Sequence, residues 1–153
     1  SPDGQGLRKV PHVGSVTLGS DVELGAGTCV DRGKFGSTSV GSGTKVDNLV
    51  QIGHNVTVGR ACLICAHAAL AGSSELGDRC VMGGKSAVAD HVRVCDGVRL
   101  AVDIGGTFTD IVLDVAGTRT SAKVLTTPAA PEEGVITGLI TAVGEASLAA
   151  RGF

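Results

Sequence analysis

From Val40 onward an aliphatic residue returns at every sixth position: Val40, Val46, Ile52, Val58, Ile64, Leu70, Leu76, Met82, Val88, Val94 and Leu100. The same step links Leu18, Leu24 and Val30, but Val30 precedes Val40 by ten residues, so four residues are inserted between the two runs. Val, Ile, Leu and Met make up only 40 of the 153 residues, so an unbroken series of fourteen is not accidental. The residue after each of them is Gly at 19, 25, 41, 53, 59, 77 and 83, and otherwise Ala, Asp or Cys, small or turn-forming as a corner requires. Two positions earlier stands Val, Thr, Ser, Ala or Cys, compact enough to share a narrow interior. A helix is excluded because six does not match a period of 3.6 and glycine recurs inside the pattern. A sandwich is excluded because its strands alternate strictly between longer turn clusters. What remains is a β-solenoid whose coils pair only with their neighbours at roughly 4.8 Å. Each buried aliphatic contributes roughly 1.5 to 3 kcal/mol, enough to hold such a core without aromatic bulk.

Composition agrees with a thin aliphatic prism: 24 glycines, three Phe, no Trp and no Tyr. The length allows one core or one core plus an appendage. A formal charge of −2 and the lack of any Lys/Arg run argue against a nucleic-acid footprint. No apolar stretch is long enough to be a transmembrane segment, and Ser1-Pro2-Asp3-Gly4-Gln5-Gly6 does not read as a signal peptide, so a cytoplasmic setting is expected. The absence of a starting Met and the loop-like opening read as the interior of a longer protein. Five cysteines (Cys29, Cys62, Cys65, Cys80, Cys95) are an odd number without a secreted context, so buried thiols are expected rather than disulfides. Cys62 and Cys65 form a lone C-x-x-C with no second pair at zinc spacing, and neither metal nor cofactor is expected.

The six-residue pattern resembles that of the hexapeptide-repeat acyltransferases, in which three hexads make one triangular coil and the coils wind into an all-β left-handed parallel β-helix. Residues eighteen apart then become vertical neighbours on one face. Asp47-Asn48-Leu49-Val50-Gln51-Ile52-Gly53-His54-Asn55 resembles the D-N-x-x-Q-I-x-H-N segment of the UDP-3-O-acylglucosamine N-acyltransferases of lipid A biosynthesis. The likeness extends over Asp3-Gly4-Gln5-Gly6 through Val10-Pro11, Cys29 to Gly33, Ala71-Gly72-Ser73, Met82-Gly83-Gly84 and His91. It implies transfer of a hydroxyacyl chain from acyl carrier protein to the amine of a UDP-acylglucosamine, in a homotrimer.

Ile52 points inward by the hexad register, so His54 lies just beyond a corner, where a neutral imidazole can take a proton from an attacking amine. His54 is therefore the expected catalytic base. Gly72, eighteen residues on, is expected one coil above it with its N–H open to an oxyanion, the role the resemblance assigns. Asp47 is expected to orient His54, across a corner or from a neighbouring subunit. His91, two coils plus one residue beyond His54, is expected near the same edge and completes the catalytic candidates. Asn48, Gln51 and Asn55 are the candidates for substrate binding. His67 and His12 are expected to be exposed coil positions without a role.

After Leu100 the next hexad position is Gly106 and the period ends. Val98 to Asp110 reads as a strand, a glycine turn and a second strand, and resembles the opening of the hydantoinase/oxoprolinase family, whose actin-like ATPase fold uses a D-I-G-G-T-x-T-D loop around phosphate. Asp103, Gly105, Gly106, Thr107, Thr109 and Asp110 would form that loop. The likeness continues through Ala122 to Pro128 and Pro131 to Val135, and Pro131 to Ala150 has the spacing of an amphipathic helix. The chain thus divides into an acyltransferase-like β-helix over 1–98 and a small α+β fragment, hairpin plus helix, over 99–153. The tail is expected to project loosely from the solenoid. Three functions are in competition: a truncated N-acyltransferase segment, a non-enzymatic trimerising solenoid, and an ATP-dependent hydantoinase/oxoprolinase fragment. The last is expected to bind no nucleotide, because the remaining elements of an ATPase fold are not in these residues.

Overall fold

The computed structural model describes residues 9–104, 108–115 and 118–125. The first coil consists of β1 (Ser15–Leu18), β2 (Glu23–Leu24) and β3 (Cys29–Val30). The second is β4 (Ser37–Val40), β5 (Lys45–Val46) and β6 (Gln51–Ile52). The third is β7 (Thr57–Val58), β8 (Leu63–Ile64) and β9 (Ala69–Leu70), and the fourth is β10 (Glu75–Leu76), β11 (Val81–Met82) and β12 (Ala87–Val88). A fifth begins with β13 (Arg93–Val94) and β14 (Arg99–Ile104). Like strands of successive coils pair in parallel and build three faces, as expected of a hexapeptide-repeat β-helix. Val40 pairs with Val58 and Val46 with Ile64, a spacing of eighteen, whereas Leu18 pairs with Val40 at twenty-two. The insertion thus lies between β3 and β4.

The hexad aliphatics fill the interior. Ile52 and Ile64 are 0% exposed, and Val40, Val46, Val58, Leu70, Leu76, Met82 and Val88 are also buried. Leu18 and Leu24 are in register but exposed, because no described coil lies beyond them. The companion row two positions earlier is buried too from Thr38 to Ser86, polar members included. Thr44 Oγ1 donates to the Gly59 carbonyl (2.9 Å) and accepts from the Cys62 N–H, and Ser74 and Ser86 donate to the carbonyls of Ala71 and Gly83. No buried side-chain polar atom lacks a partner among the described residues, so the core incurs no desolvation penalty from them.

The corners differ from the sequence reading. The left-handed backbone falls three residues after each aliphatic, at Asp21, Gly27, Gly43, Leu49, Asn55, Ala61, His67, Ser73, Arg79, Lys85, His91 and Gly97, with φ between 52° and 76°. Glycine directly after the aliphatic serves close approach instead. A β-carbon at Gly41 would stand 2.6 Å from the carbonyl carbon of Gly59, and one at Gly59 would stand 2.5 Å from that of Gly77.

On the second face β14 pairs in parallel with β11 and antiparallel with β15 (Phe108–Val115), which pairs with β16 (Thr118–Leu125). The expected hairpin is therefore a three-stranded meander continuous with the solenoid sheet, not a loosely projecting tail. The expected helix over 131–150 lies outside the described residues.

Candidate active site

Turns after the third strand of each coil stack into one edge of the prism, containing residues 31–36, 53–56, 71–74 and 89–92. Coil-to-coil bonds fix its register. Gly53 donates to the Leu70 carbonyl (2.9 Å), Ser73 to that of His54 (2.8 Å), and His91 to that of Gly72 (3.3 Å). His54, Gly72 and Asp90 therefore form one column, and Asn55, Ser73 and His91 the next. His54 is half-buried and His91 exposed.

Asn55 fixes the state of the His54 ring. Its backbone is left-handed (φ 60°), a conformation Asn tolerates better than most residues, and its N–H donates to Thr38 Oγ1 at 2.8 Å. The Lys34 N–H, which can only donate, lies 2.8 Å from Asn55 Oδ1, so that amide atom is the acceptor oxygen. The same Oδ1 stands 3.2 Å from His54 Nδ1. Nδ1 must therefore be the donor, so the neutral ring carries its proton there and leaves Nε2 with its lone pair, the form a general base needs.

Gly72 bounds the ring on the other side. A β-carbon there would lie 2.7 Å from both Cε1 and Nε2 of His54, so only glycine lets the imidazole occupy this place. At the matching position of another edge, the N–H of Arg60 donates to Asp78 Oδ1 and that of Asp78 to Asp96 Oδ1. The Gly72 N–H has no acceptor among the described residues. The imidazole thus stands against the bare Cα of Gly72, whose own N–H is unpaired among the described residues; the ring can take a proton and the N–H can meet a developing oxyanion.

The remaining candidates do not converge on this point within one chain. Asp47, expected to orient His54, accepts instead from the Asn48 N–H (2.7 Å) at the preceding edge, and Asn48 Oδ1 accepts from the Ala26 N–H (2.7 Å). Asp47 lines a shallow groove on the second face with Glu23, Lys45, Leu63 and Cys65. Gln51 donates to Asp31 Oδ2 on the third face (3.1 Å). The group bonded to His54 is Asn55, because it adjoins the ring on the same edge whereas Asp47 lies one hexad back. His67 is exposed, as expected. His12 is not: its ring is half-buried, edge-to-face with His54 at 5.0 Å between centroids and 75° between planes.

Cys62 and Cys65 do not act as a pair. Cys62 points inward, donates to the Gly77 carbonyl, and burial pushes its thiol up, while Cys65 lines the groove. No group of three or more His, Cys, Asp or Glu that could hold a metal occurs among the described residues. No described helix is long and apolar enough to cross a membrane. In the phosphate-loop candidate, Asp103 pairs opposite Asp110 and Ile104 opposite Thr109, while Gly105, Gly106 and Thr107 lie outside the described residues.

The solenoid is similar to UDP-3-O-acylglucosamine N-acyltransferases. A probable mitochondrial UDP-3-O-acylglucosamine N-acyltransferase 2 of Arabidopsis thaliana is 48% identical over 95 residues, 62% of this chain and 31% of that protein. The Campylobacter curvus enzyme is 52% identical over 103 residues, covering 67% and 32% of the two chains. The Bordetella avium enzyme is 43% identical over 99 residues, covering 65% and 27%. The chain spans less than a third of these relatives. A solved structure of an Arabidopsis UDP-N-acetylglucosamine acyltransferase shares the fold, with a TM-score of 0.50 at 16% identity over 57% of this chain and 36% of that one. Residues 99–151 match a different family, the hydantoinase/oxoprolinase N-terminal region.

Proposed function

We propose that residues 1–98 carry the acyl-transfer edge of an N-acyltransferase acting in lipid A biosynthesis, and that residues 99–153 are a segment of hydantoinase/oxoprolinase type joined to it through β14. The observation that carries this reading is the His54 imidazole, bonded at Nδ1 to Asn55 and packed against Gly72, whose N–H is unpaired among the described residues. As a glucosamine amine attacks the thioester carbonyl of a hydroxyacyl chain on acyl carrier protein, Nε2 takes the amine proton and the carbonyl oxygen turns toward the Gly72 N–H. Collapse breaks the C–S bond, leaves the amide, and returns the proton to the departing thiolate. His91 stands two coils along the same edge, where it can contact the incoming donor.

A homotrimer supplies the wall that one thin prism lacks. Leu63 is exposed beside Asp47 in the groove of the second face, so a neighbouring prism could present Asp47 to His54. Asn55 orients the base, while Asn48 and Gln51 contact substrate only by yielding their present bonds. The setting proposed is cytoplasmic, with a UDP-acylglucosamine as acceptor.

Incubation with hydroxyacyl carrier protein and a UDP-3-O-acylglucosamine tests the reading, with His54→Ala as control. Amide product from the wild type and none from the variant is the expected result, and light scattering should report three chains per particle. Trimers without turnover would favour the non-enzymatic solenoid. Calorimetry with ATP and magnesium tests the third alternative, and no heat of binding is expected.

A further inference from the structure

The hexad repeat is interrupted once between Val16 and Leu100, and the interruption lies at the His54 edge. Its residues Asp31 to Gly36 present their carbonyls to the segment before β1. Gly33 accepts from the Gly14 N–H (3.0 Å), Lys34 from that of Val13 (2.9 Å), and Gly36 from that of Ser15 (3.0 Å). Gly14 must be glycine for this pairing, since a β-carbon there would collide with the Gly36 carbonyl. The result is that residue 12, far from His54 in sequence, is delivered against its ring. The same insertion supplies the Lys34 N–H that identifies and anchors Asn55 Oδ1.

We propose that His12 is a positioning residue for His54: its ring, set edge-to-face at 5.0 Å, blocks rotation of the imidazole away from Gly72 and so preserves the Nδ1–H to Asn55 bond that frees Nε2. Rotation away from Gly72 is otherwise open, because Asn55 holds only one ring atom and the Gly72 backbone bounds the ring on one side alone. A ring–ring contact of this geometry is comparable to one net hydrogen bond, enough to decide between two orientations of a half-exposed ring. The insertion is thereby a device for building the surroundings of His54, which gives the break in the repeat a reason.

The proposal rests on the acyl-transfer reading only for its effect on turnover, so the primary test does not use turnover. In the full chain labelled with 15N-histidine, NMR should show His54 as a single tautomer with the proton on Nδ1. His12→Ala should average the two ring nitrogens of His54 while leaving the thermal melt unchanged. His12→Phe, which restores a ring edge without a titratable nitrogen, should return the single tautomer. If the chain transfers acyl groups, kcat in His12→Ala should fall by up to about tenfold with KM little changed, and His12→Phe should recover most of it. An unaltered His54 spectrum in His12→Ala overturns the proposal, as does a failure of His12→Phe to restore the tautomer. Absence of turnover in the wild type, with the spectral changes present, would count against the acyl-transfer reading and leave the positioning role standing.

Discussion

The imidazole of His54 lies directly over Gly72, so close that a β-carbon at 72 would stand 2.7 Å from Cε1 and Nε2. Glycine is needed here for space and not for backbone freedom, because its φ lies outside the left-handed region. Gly72→Ala should therefore leave the coil intact and push the ring off its Asn55 bond. If the chain transfers acyl groups as proposed, the rate should fall by roughly a hundredfold, since displacement of a catalytic group by about an ångström costs that much. The melting temperature should stay near that of the wild type. Turnover equal to wild type in Gly72→Ala would separate this contact from the chemistry.

Ala61 holds a left-handed backbone, φ 52°, and is exposed. For an L-residue with a β-carbon that conformation costs roughly 1 to 2 kcal/mol. Replacing alanine by glycine elsewhere costs roughly 0.5 to 1 kcal/mol through the entropy of the unfolded chain. The first term is the larger, so Ala61→Gly should stabilise the solenoid by up to about 1 kcal/mol. Gly43, at φ 76° in the next coil with no atom nearer than 3.9 Å to an added β-carbon, should show the opposite sign as Gly43→Ala. Urea unfolding of both variants checks the pair, and destabilisation by Ala61→Gly would mean that the corner is not strained.

The fold was legible because two positions in six are inward and the second of them must be aliphatic, a demand every hexad from Val40 to Val88 meets. The corners were not. Only three of the twelve left-handed residues are glycine, and the others include Leu49, Arg79 and Lys85, so stacked coils impose a conformation that local preference would not choose. His54 and Gly72 were legible from a motif and an eighteen-residue step. His12 was not, because its position depends on how the insertion from Asp31 to Gly36 folds, and an interrupted repeat gives no register to count from. Asn55 was legible as a candidate but not in its role, which turns on a backbone N–H of Lys34 that no side-chain pattern records. β16 escaped notice although Thr118, Thr120, Ala122 and Val124 alternate with polar residues, because the strand-and-turn reading stopped at Asp110.

Asp78 joins two coils at a different edge, accepting the Arg60 N–H at 2.8 Å and the guanidinium at 2.9 and 3.2 Å. The Arg60 backbone N–H, then the Arg60 side chain, holds its carboxyl below the usual carboxylate range. A carboxyl lowered on folding contributes stability that is present above its unfolded value and lost as pH falls through its folded one. Asp78→Asn should thus lower the melting temperature at neutral pH, and the gap should close as the wild type is acidified below the normal range of an aspartate. The carboxylate is solvent-accessible, so added salt should narrow the gap as well. Melting curves of both proteins across acidic pH give the comparison, and a gap that widens on acidification would contradict the assignment.

Ile52 is 0% exposed and pairs with Val30 below and Leu70 above, so it sits at the centre of the third face, two residues before His54. An aspartate there would bring a charge into an aliphatic stack. The polar groups buried elsewhere in the prism, Thr38, Thr44, Ser74 and Ser86, each have partners of their own, so none is free to receive it. Ionised or protonated, the carboxyl would lose its hydration without replacement, and Ile52→Asp should cost more than about 4 kcal/mol. Ile52→Val, which removes one methylene from the same place, should cost only about 0.5 to 1.5 kcal/mol and keep the His54 edge intact. Circular dichroism should show a cooperative melt for the valine variant and none for the aspartate variant. A cooperative melt unchanged in Ile52→Asp would mean that residue 52 does not face inward, and the hexad register that places His54 outside the corner would fall with it.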